Sequence, residues 1–247
     1  MACAEEIGVI LLSKIIAVGD IHGCFHTLET LIEELQVDFD RDTLVFVGDY
    51  IDRGLYSKEV VKRLRDLQEC MTSKRCVCLR GNHEQMAIEA ASSMDSNSVL
   101  WEGNGGYTTI WSYRDDTDTM ASDICWMMKL PFVAEVSNFI FSHAGLSYPL
   151  LADCTMFDLL WDRSWLRSNN LLRREKPVIF GHTPFKEGIK HLSNGDIGID
   201  GGCVGNGSLC AIAINDDGSM REYKVACDPR DIDPENLRDV MLWYNDN

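Results

Sequence analysis

The segment CVCLRGNHEQM, residues 76–86, decides the fold. Its first four residues have the length and composition of a short buried strand, which an arginine and a glycine then end. An amide, an imidazole and a carboxylate follow directly, at Asn82, His83 and Glu84. A buried strand that ends in glycine and is followed by such groups predicts a site at the carboxyl end of a sheet.

Two earlier segments repeat this pattern. IIAVGDIHG, residues 15–23, and LVFVGDYIDRG, residues 44–54, each place a Gly-Asp turn after an apolar run, with more acid, histidine or arginine behind it. Apolar residues at helical spacing predict a helix over residues 25–35 and another that begins at Ser57. This alternation of strands and helices predicts an α/β layered domain.

Strands dominate the second half of the chain. The apolar pattern predicts strands over residues 131–136, 139–142, 178–180, 197–199, 209–214 and 222–225. Helices and strands alternate early and strands prevail late, so we expect two mixed sheets packed face to face between helix layers. The predicted fold class is therefore α/β (α+β), a four-layer sandwich.

The length of 247 residues suits a single domain over residues 1–247. We expect its core over about residues 14–226, and a cap-like insertion of short helices and loops over residues 93–126 beside the site. The acidic C-terminal tail, residues 228–247, is expected to end in a short helix that docks through Leu237, Met241, Trp243 and Tyr244.

Composition and charge limit the function classes. Apolar residues make up 45% of the chain and charged residues 25%, which is ordinary for a soluble globular protein. The longest apolar stretch, residues 7–18, is broken by Ser13 and Lys14, and acidic Glu5 and Glu6 precede it. This favours neither a membrane span nor a signal peptide, so we expect a cytoplasmic protein with no membrane partner.

The formal net charge of −16 argues against a nucleic-acid partner, which needs a basic surface. It also opposes the binding of phosphate groups unless cations reverse the sign locally.

The ten cysteines are scattered, and none forms a C-x-x-C pair. This spacing disfavours structural zinc, and we expect reduced and mostly buried thiols. Cys24 is the cysteine that we would test first for oxidation, because we expect it to lie near the site.

Polar groups that follow predicted strands form the candidate site. Four of the six histidines stand in this setting, and two aspartates accompany them. Asp, His and Asn offer oxygen and imidazole ligands without thiolate, which suits Mn²⁺, Fe or Zn²⁺. A pair of divalent cations bridged by one carboxylate activates water for in-line displacement at phosphorus, while arginines hold the phosphate oxygens.

Five motifs occur in order: GDIHG at 19–23, GDYIDRG at 48–54, RGNHE at 80–84, SHAG at 142–145 and GHTP at 181–184. Together they resemble the signature of the PPP family of the calcineurin-like metallophosphoesterase superfamily, which contains the Ser/Thr protein phosphatases. RGNHEQM, GNGG at 103–106 and WDR at 161–163 resemble the compact bacterial and phage type. The resemblance covers about residues 15–214.

The resemblance implies a phosphoserine/phosphothreonine phosphatase in which a metal-bridging hydroxide attacks phosphorus directly. It implies two divalent metal ions, with Mn²⁺ as the first choice and Fe or Zn²⁺ as alternatives. The implied ligands are Asp20, His22, Asp49, Asn82, His143 and His182. His83 would protonate the leaving alkoxide with Asp52 hydrogen-bonded to it, and the phosphate would be held by Arg53, Arg80 and Arg163. The implied partner is a phosphorylated protein or peptide.

Two other functions compete with this interpretation. A dinucleoside polyphosphate hydrolase of the same superfamily typically departs from DRG in the second motif and has Asp rather than Glu after GNH; here Arg53 and Glu84 favour the protein phosphatase. A binding protein with an inactive site would lack at least one ligand, and none of the implied ligands is missing. The stretch Gly201-Gly202-Cys203 departs from the usual Thr-Gly of the family.

Overall fold

The computed structural model describes residues 13–71, 75–92, 96–167 and 171–246. The first twelve residues, including the acidic pair weighed against a signal peptide, lie outside these ranges, as do residues 93–95 of the 93–126 insertion. The strands of the described part are β1 Lys14–Val18, β2 Thr43–Phe46, β3 Cys76–Cys78, β4 Val133–Val136, β5 Phe139–Ser142, β6 Val178–Phe180, β7 Lys190–His191, β8 Ile197–Gly198, β9 Ser208–Asn215 and β10 Met220–Ala226.

The α-helices are α1 Phe25–Leu35, α2 Ser57–Met71, α3 Asn82–Ser92, α4 Ser96–Trp101, α5 Tyr107–Ser112, α6 Thr117–Met127, α7 Met156–Leu160 and α8 Pro234–Asp246. A π-helical turn, Glu102–Gly106, joins α4 to α5, and short 3₁₀ turns cover Leu151–Asp153, Ser164–Arg167, Cys203–Gly205 and Pro229–Ile232. None of the described helices is long and apolar enough to cross a membrane. The cytoplasmic location stays a prediction.

Both sheets are mixed, as the sequence predicts. The first has the order β10-β9-β1-β2-β3, with β1, β2 and β3 parallel and β9 antiparallel to β1. The second has the order β4-β5-β6-β8-β7, in which β5, β6 and β8 run parallel between two antiparallel edge strands. The edge strand β7 was not predicted, because two residues are too few to show a period-2 pattern.

Side chains alternate between two cores along each central strand, as the pleat requires. Ile16 and Val18 of β1 pack with the helices on the outer face of the first sheet, whereas Ala17 faces the second sheet. In the second sheet, Ile179 faces inward while Phe180 packs on the opposite side against Trp165. Three apolar layers therefore separate four structural layers, and the predicted sandwich is confirmed.

The C-terminal tail ends in α8, but it docks differently from the prediction. Val240 is fully buried, whereas Met241 is 54% exposed, so Met241 is not the anchor. The Trp243 and Tyr244 rings contact Trp111 and Tyr107 of α5 at centroid distances of 5.2 and 6.3 Å. The apolar residues of α8 are close in sequence, and spacing alone did not identify which one faces inward.

The fold brings the motifs together because parallel strands deliver their carboxyl ends to one edge. β1, β2 and β3 of the first sheet do this, and so do β5, β6 and β8 of the second. Each is followed by one or more polar residues, and the two sets of loops meet above the junction of the two sheets. The candidate site lies there.

Candidate functional site

A pocket of about 280 Å³ lies at this junction. Of the sequence-predicted site residues, it is lined by Asp20, His22, Asp49, Arg53, Asn82, His83, Arg163 and His182, with Asn104, Trp161, Pro184, Asp200, Gly202 and Val204 completing the wall. His143 lies directly beneath, fully buried. Residues that are far apart in sequence are thus brought together in space.

Acceptor atoms converge at one end of the pocket. His143 Nδ1 donates to the Val47 carbonyl at 3.0 Å, which leaves Nε2 with a free lone pair. That Nε2 faces Asn82 Oδ1 at 2.8 Å, His182 Nδ1 at 3.2 Å and Asp49 Oδ1 at 3.3 Å. His182 Nε2 lies 3.3 Å from the Trp161 carbonyl, which directs the lone pair of Nδ1 inward. In both histidines one ring nitrogen contacts a backbone carbonyl, which leaves the other nitrogen as a lone-pair donor, as in a metal ligand. The convergence of these lone pairs with the Asn82 and Asp49 oxygens fits a bound cation.

The other face of Asp49 meets a second such arrangement. His22 Nδ1 donates to the Ile51 carbonyl at 2.9 Å, and its Nε2 lies 3.6 Å from Asp49 Oδ2. Asp49 therefore stands between two groups of imidazole nitrogens, as a bridging ligand would. Asp20 enters from β1 and accepts the His182 backbone N–H at 2.9 Å. This donor set of Asp, His and Asn fits two divalent cations.

Burial favours the neutral form of two of the candidate ligands, His22 and His182, whereas at His143 the Asp49 carboxylate outweighs the effect of burial and raises the pKa. Burial lowers the pKa of His182 to about 3, and the neighbouring His143 adds to the effect. Burial, with His83 next to it, also holds the pKa of His22 well below its usual range. Neutral imidazole is the form that binds a metal ion. Burial raises the pKa of Asp20 well above its usual value, and negative Asp200 and Asp49 raise it further, since burial and like charges both disfavour an ionised carboxylate.

His83 and Asp52 form a buried pair beside these groups. His83 Nδ1 donates to Asp52 Oδ2 at 2.6 Å, and both side chains are at most 1% exposed. The Asp52 carboxylate also accepts the Trp101 indole N–H at 2.9 and 3.0 Å and the Thr109 hydroxyl at 2.6 Å. The 93–126 insertion therefore supplies two donors that fix Asp52.

The three predicted phosphate-binding arginines are placed differently. Arg53 donates to His22 Nε2 at 2.8 Å and to His83 Nε2 at 3.0 Å, so its guanidinium spans the pocket floor. Arg163 also lines the pocket and donates to the His182 carbonyl at 2.6 Å. Arg80 is not brought into the pocket: it bonds Gln85 at 3.0 Å and stacks 4.6 Å above the Phe132 ring. The phosphate role predicted for Arg80 stays a prediction.

Glu84 lies in the first turn of α3, and its side chain also connects two loops of the site. Its buried carboxylate accepts the backbone N–H groups of Asp49, Tyr50 and Gly81 at 2.9, 2.8 and 2.8 Å. It thereby joins the loop after β2 to the loop after β3. Burial raises the pKa of Glu84 to about 7, and the adjacent Asp49 adds to the shift.

Asp200 was missed by the sequence reading. It follows β8, lines the pocket and accepts the Gly202 N–H at 2.8 Å. Burial raises its pKa to about 6. The signal available was its position: an acid directly after a short apolar run, before two glycines, in the same setting as Asp20 and Asp49.

Backbone strain is concentrated at the site. His22, Asp49, Asp52, Arg53 and His182 all have φ between 48° and 75°, in the left-handed region. Each such residue costs on the order of 1 kcal/mol and persists only where its surroundings fix it. The contacts made by the neighbouring loops, including those of Glu84, offset this cost.

The comparisons with known proteins agree with this geometry. The sequence profile described as calcineurin-like phosphoesterase matches residues 13–202. Serine/threonine-protein phosphatase 1 of Salmonella typhimurium is 35% identical over 68% of this chain and 78% of its own. The symmetrical bis(5'-nucleosyl)-tetraphosphatase of Vibrio vulnificus is 26% identical over 81% of this chain and 94% of its own.

A solved serine/threonine phosphatase from Saccharomyces cerevisiae superposes with a TM-score of 0.63. The match is 19% identical and covers 87% of this chain and 80% of that one. At this level of identity the likeness concerns the fold alone, with its two sheets and flanking helices.

Proposed function

Because this chain belongs to the calcineurin-like phosphoesterase family, we propose that it is a metal-dependent phosphatase of phosphoserine and phosphothreonine in proteins or peptides. The observation that carries the proposal is the His83–Asp52 pair, which lies at 2.6 Å beside a set of convergent cation ligands. A serine or threonine alkoxide is a poor leaving group, so its departure gains most from a positioned acid.

The contacts indicate which residues would hold each of the two cations. Asp20, His22 and Asp49 would hold one cation, and Asp49, Asn82, His143 and His182 the other. Divalent ions bound there would supply charge stabilisation for the phosphoryl group and activation of water; we propose Mn²⁺, with Fe or Zn²⁺ as alternatives.

His83 would donate its Nε2 proton to the leaving oxygen, with Asp52 fixing the ring through Nδ1. In the present arrangement Arg53 donates to that same Nε2. The guanidinium would therefore turn from the two histidines to the phosphate oxygens when substrate enters. Arg163 lines the same pocket, so together the two arginines would grip the phosphate with fork geometry.

The size of the pocket favours a phosphate monoester over a dinucleotide. Its volume is about 280 Å³, whereas pockets that enclose a drug-sized ligand span about 300–1,000 Å³. A phosphorylated side chain fits such a space, while most of a dinucleoside tetraphosphate would lie outside it. Three exposed apolar residues, Leu150, Met156 and Phe157, precede the pocket residue Trp161 in the sequence. Such residues would suit contact with a peptide.

The second candidate is hydrolysis of dinucleoside polyphosphates, favoured by the relatives named symmetrical tetraphosphatases. The two activities are separated by measuring kcat/KM for a phosphoserine peptide and for diadenosine tetraphosphate on the same Mn²⁺-loaded protein. We expect the peptide to be the better substrate. A higher kcat/KM for the dinucleotide would replace our proposal with the second candidate.

A further inference from the structure

Three cysteines from remote parts of the chain meet behind the catalytic loops. Cys24 immediately precedes α1, Cys203 begins a 3₁₀ turn, and Cys227 directly follows β10. Their three sulfur atoms lie within 4.8 Å of one another, and the Cys24 and Cys227 sulfurs are 3.9 Å apart. The wide sequence separation explains why spacing did not indicate this cluster.

We propose that Cys24, Cys203 and Cys227 bind one thiophilic d¹⁰ cation, of the Zn²⁺ or Cd²⁺ class. Metal–thiolate bonds of about 2.3 Å around a shared ion place the sulfurs about 3.8–4.0 Å apart. The separation of Cys24 from Cys227 already has this value. The third sulfur lies near enough to complete the set by side-chain rotation.

Geometry and access favour an ion over a disulfide. A disulfide needs two sulfurs about 2.05 Å apart and would leave the third cysteine unused. Here all three cysteines are free, and their sulfurs lie within 4.8 Å of one another. Cys24 and Cys203 are buried, while half-buried Cys227 lines a surface pocket of about 260 Å³ formed with Gly207, Pro229 and other neighbours. That pocket gives an ion its route in and leaves room for water as a fourth ligand.

The site differs in chemistry and place from the oxygen and nitrogen centre, yet it touches the same loops. The Cys24 thiol donates to the His22 carbonyl at 3.6 Å. The residues on both sides of Cys203, Gly202 and Val204, line the catalytic pocket. A cation held by the three thiolates would therefore tie the end of β10 to two loops of the catalytic site.

The test uses the full chain, reduced and saturated with Mn²⁺ so that the catalytic centre is filled, and titrated with Cd²⁺. We expect one equivalent to bind with the ultraviolet charge-transfer band of a Cd²⁺–thiolate. Cys227→Ser should weaken this binding at least about tenfold, since loss of a ligand costs no less than loss of a residue that supports one. Cys24→Ser and Cys203→Ser should do the same, whereas Cys125→Ser, at an exposed cysteine of α6, should bind as the wild type does.

Three results would overturn the proposal. One is the absence of a thiolate band in the wild-type protein, a measurement that needs no variant to fold. Another is a band that persists unchanged in a folded Cys227→Ser protein. The last is a disulfide between any two of the three cysteines in protein prepared without reductant, detected by mass spectrometry of peptides. In support, Cd²⁺ should protect Cys227 from iodoacetamide while Cys125 still reacts.

Discussion

Replacement of Trp101 by phenylalanine tests whether the 93–126 insertion takes part in catalysis. The indole N–H is shared between the two oxygens of Asp52, at 2.9 and 3.0 Å, and Asp52 in turn holds His83. Trp101→Phe keeps an aromatic ring in this buried position and removes the donor. In the proposed mechanism Trp101 would act through Asp52, as a positioning residue.

The structure sets the size of the effect. A hydrogen bond to a charged group is worth about 1.5–3 kcal/mol, and each 1.36 kcal/mol in the barrier is tenfold in rate. Full transfer of this loss to the transition state would lower kcat about 10- to 150-fold. The Thr109 hydroxyl still donates to Asp52 at 2.6 Å, so we expect a value near the lower end.

The assay compares two leaving groups. A phosphoserine peptide releases a strongly basic alkoxide, whereas 4-nitrophenyl phosphate releases a weakly basic phenolate that needs little protonation. We expect kcat of Trp101→Phe to fall about tenfold for the peptide and less than about threefold for the nitrophenyl ester, with KM changed little in both. In a His83→Asn background, Trp101→Phe should cost little more, since residues that act through one group are non-additive.

The matched control is Trp126→Phe. The Trp126 indole donates to Gln68 at 2.8 Å, outside the residues that line the pocket. Trp126→Phe removes the same indole N–H donor from another tryptophan of the 93–126 insertion, so kcat of this variant should stay at the wild-type value. Equal losses of kcat for both substrates of Trp101→Phe, or a loss confined to KM, would refute the reasoning. Circular dichroism at the assay temperature verifies that each variant is folded.

Other perturbations test separate parts of the site. Gly105→Ala should raise KM for the peptide several-fold, because a β-carbon there would lie 2.8 Å from the Arg53 side chain and φ is 103°. The control Gly103→Ala should leave KM unchanged, because a β-carbon at that position has no atom within 4 Å. Equal KM values for the two variants would contradict a role for the contact with Arg53. Arg163→Ala should raise KM more than Arg80→Ala, because only Arg163 lines the pocket; steady-state kinetics that reverse this order would assign the phosphate to Arg80. Exhaustive chelation should abolish activity and lower Tm. Mn²⁺ at about 100 times its Kd should restore activity and add about 2.7 kcal/mol to the free energy of unfolding. Activity that survives complete metal removal would refute the metal centre.

The parts of the fold that the sequence predicted are those with local signals. The strand before Asn82 and the strand before Asp20 each combine an apolar run with a glycine turn, so both the strand and its polar terminus can be read from adjacent residues. The continuous apolar run of β9 likewise indicates a strand with two buried faces, and Leu209 and Cys210 do belong to different cores. Such patterns are sufficient to predict the layers of the fold and the polar residues at the ends of the strands.

The parts that the sequence did not predict depend on long-range packing. The local sequence around Trp101 does not distinguish an indole that is hydrogen-bonded to Asp52 from one that is packed in a core. Arg80 stands in a phosphatase motif, yet Phe132, far along the chain, provides the ring on which its guanidinium stacks. The pairing of Cys24 with Cys227 depends on where β10 ends relative to α1, which no local pattern encodes.

The 93–126 insertion, predicted to form a cap beside the site, contacts residues to which we assign roles in turnover and in phosphate binding. Trp101 and Thr109 donate to Asp52, and the Gly105 carbonyl accepts the Arg53 backbone N–H at 3.2 Å. Both Asp52 and Arg53 lie in the left-handed region, where the backbone depends on such external contacts. If the proposed roles hold, an exchange of this insertion between relatives would therefore alter both the His83–Asp52 pair and the position of Arg53. Specificity should be more separable at the exposed apolar residues Leu150, Met156 and Phe157, which lie outside the 93–126 insertion.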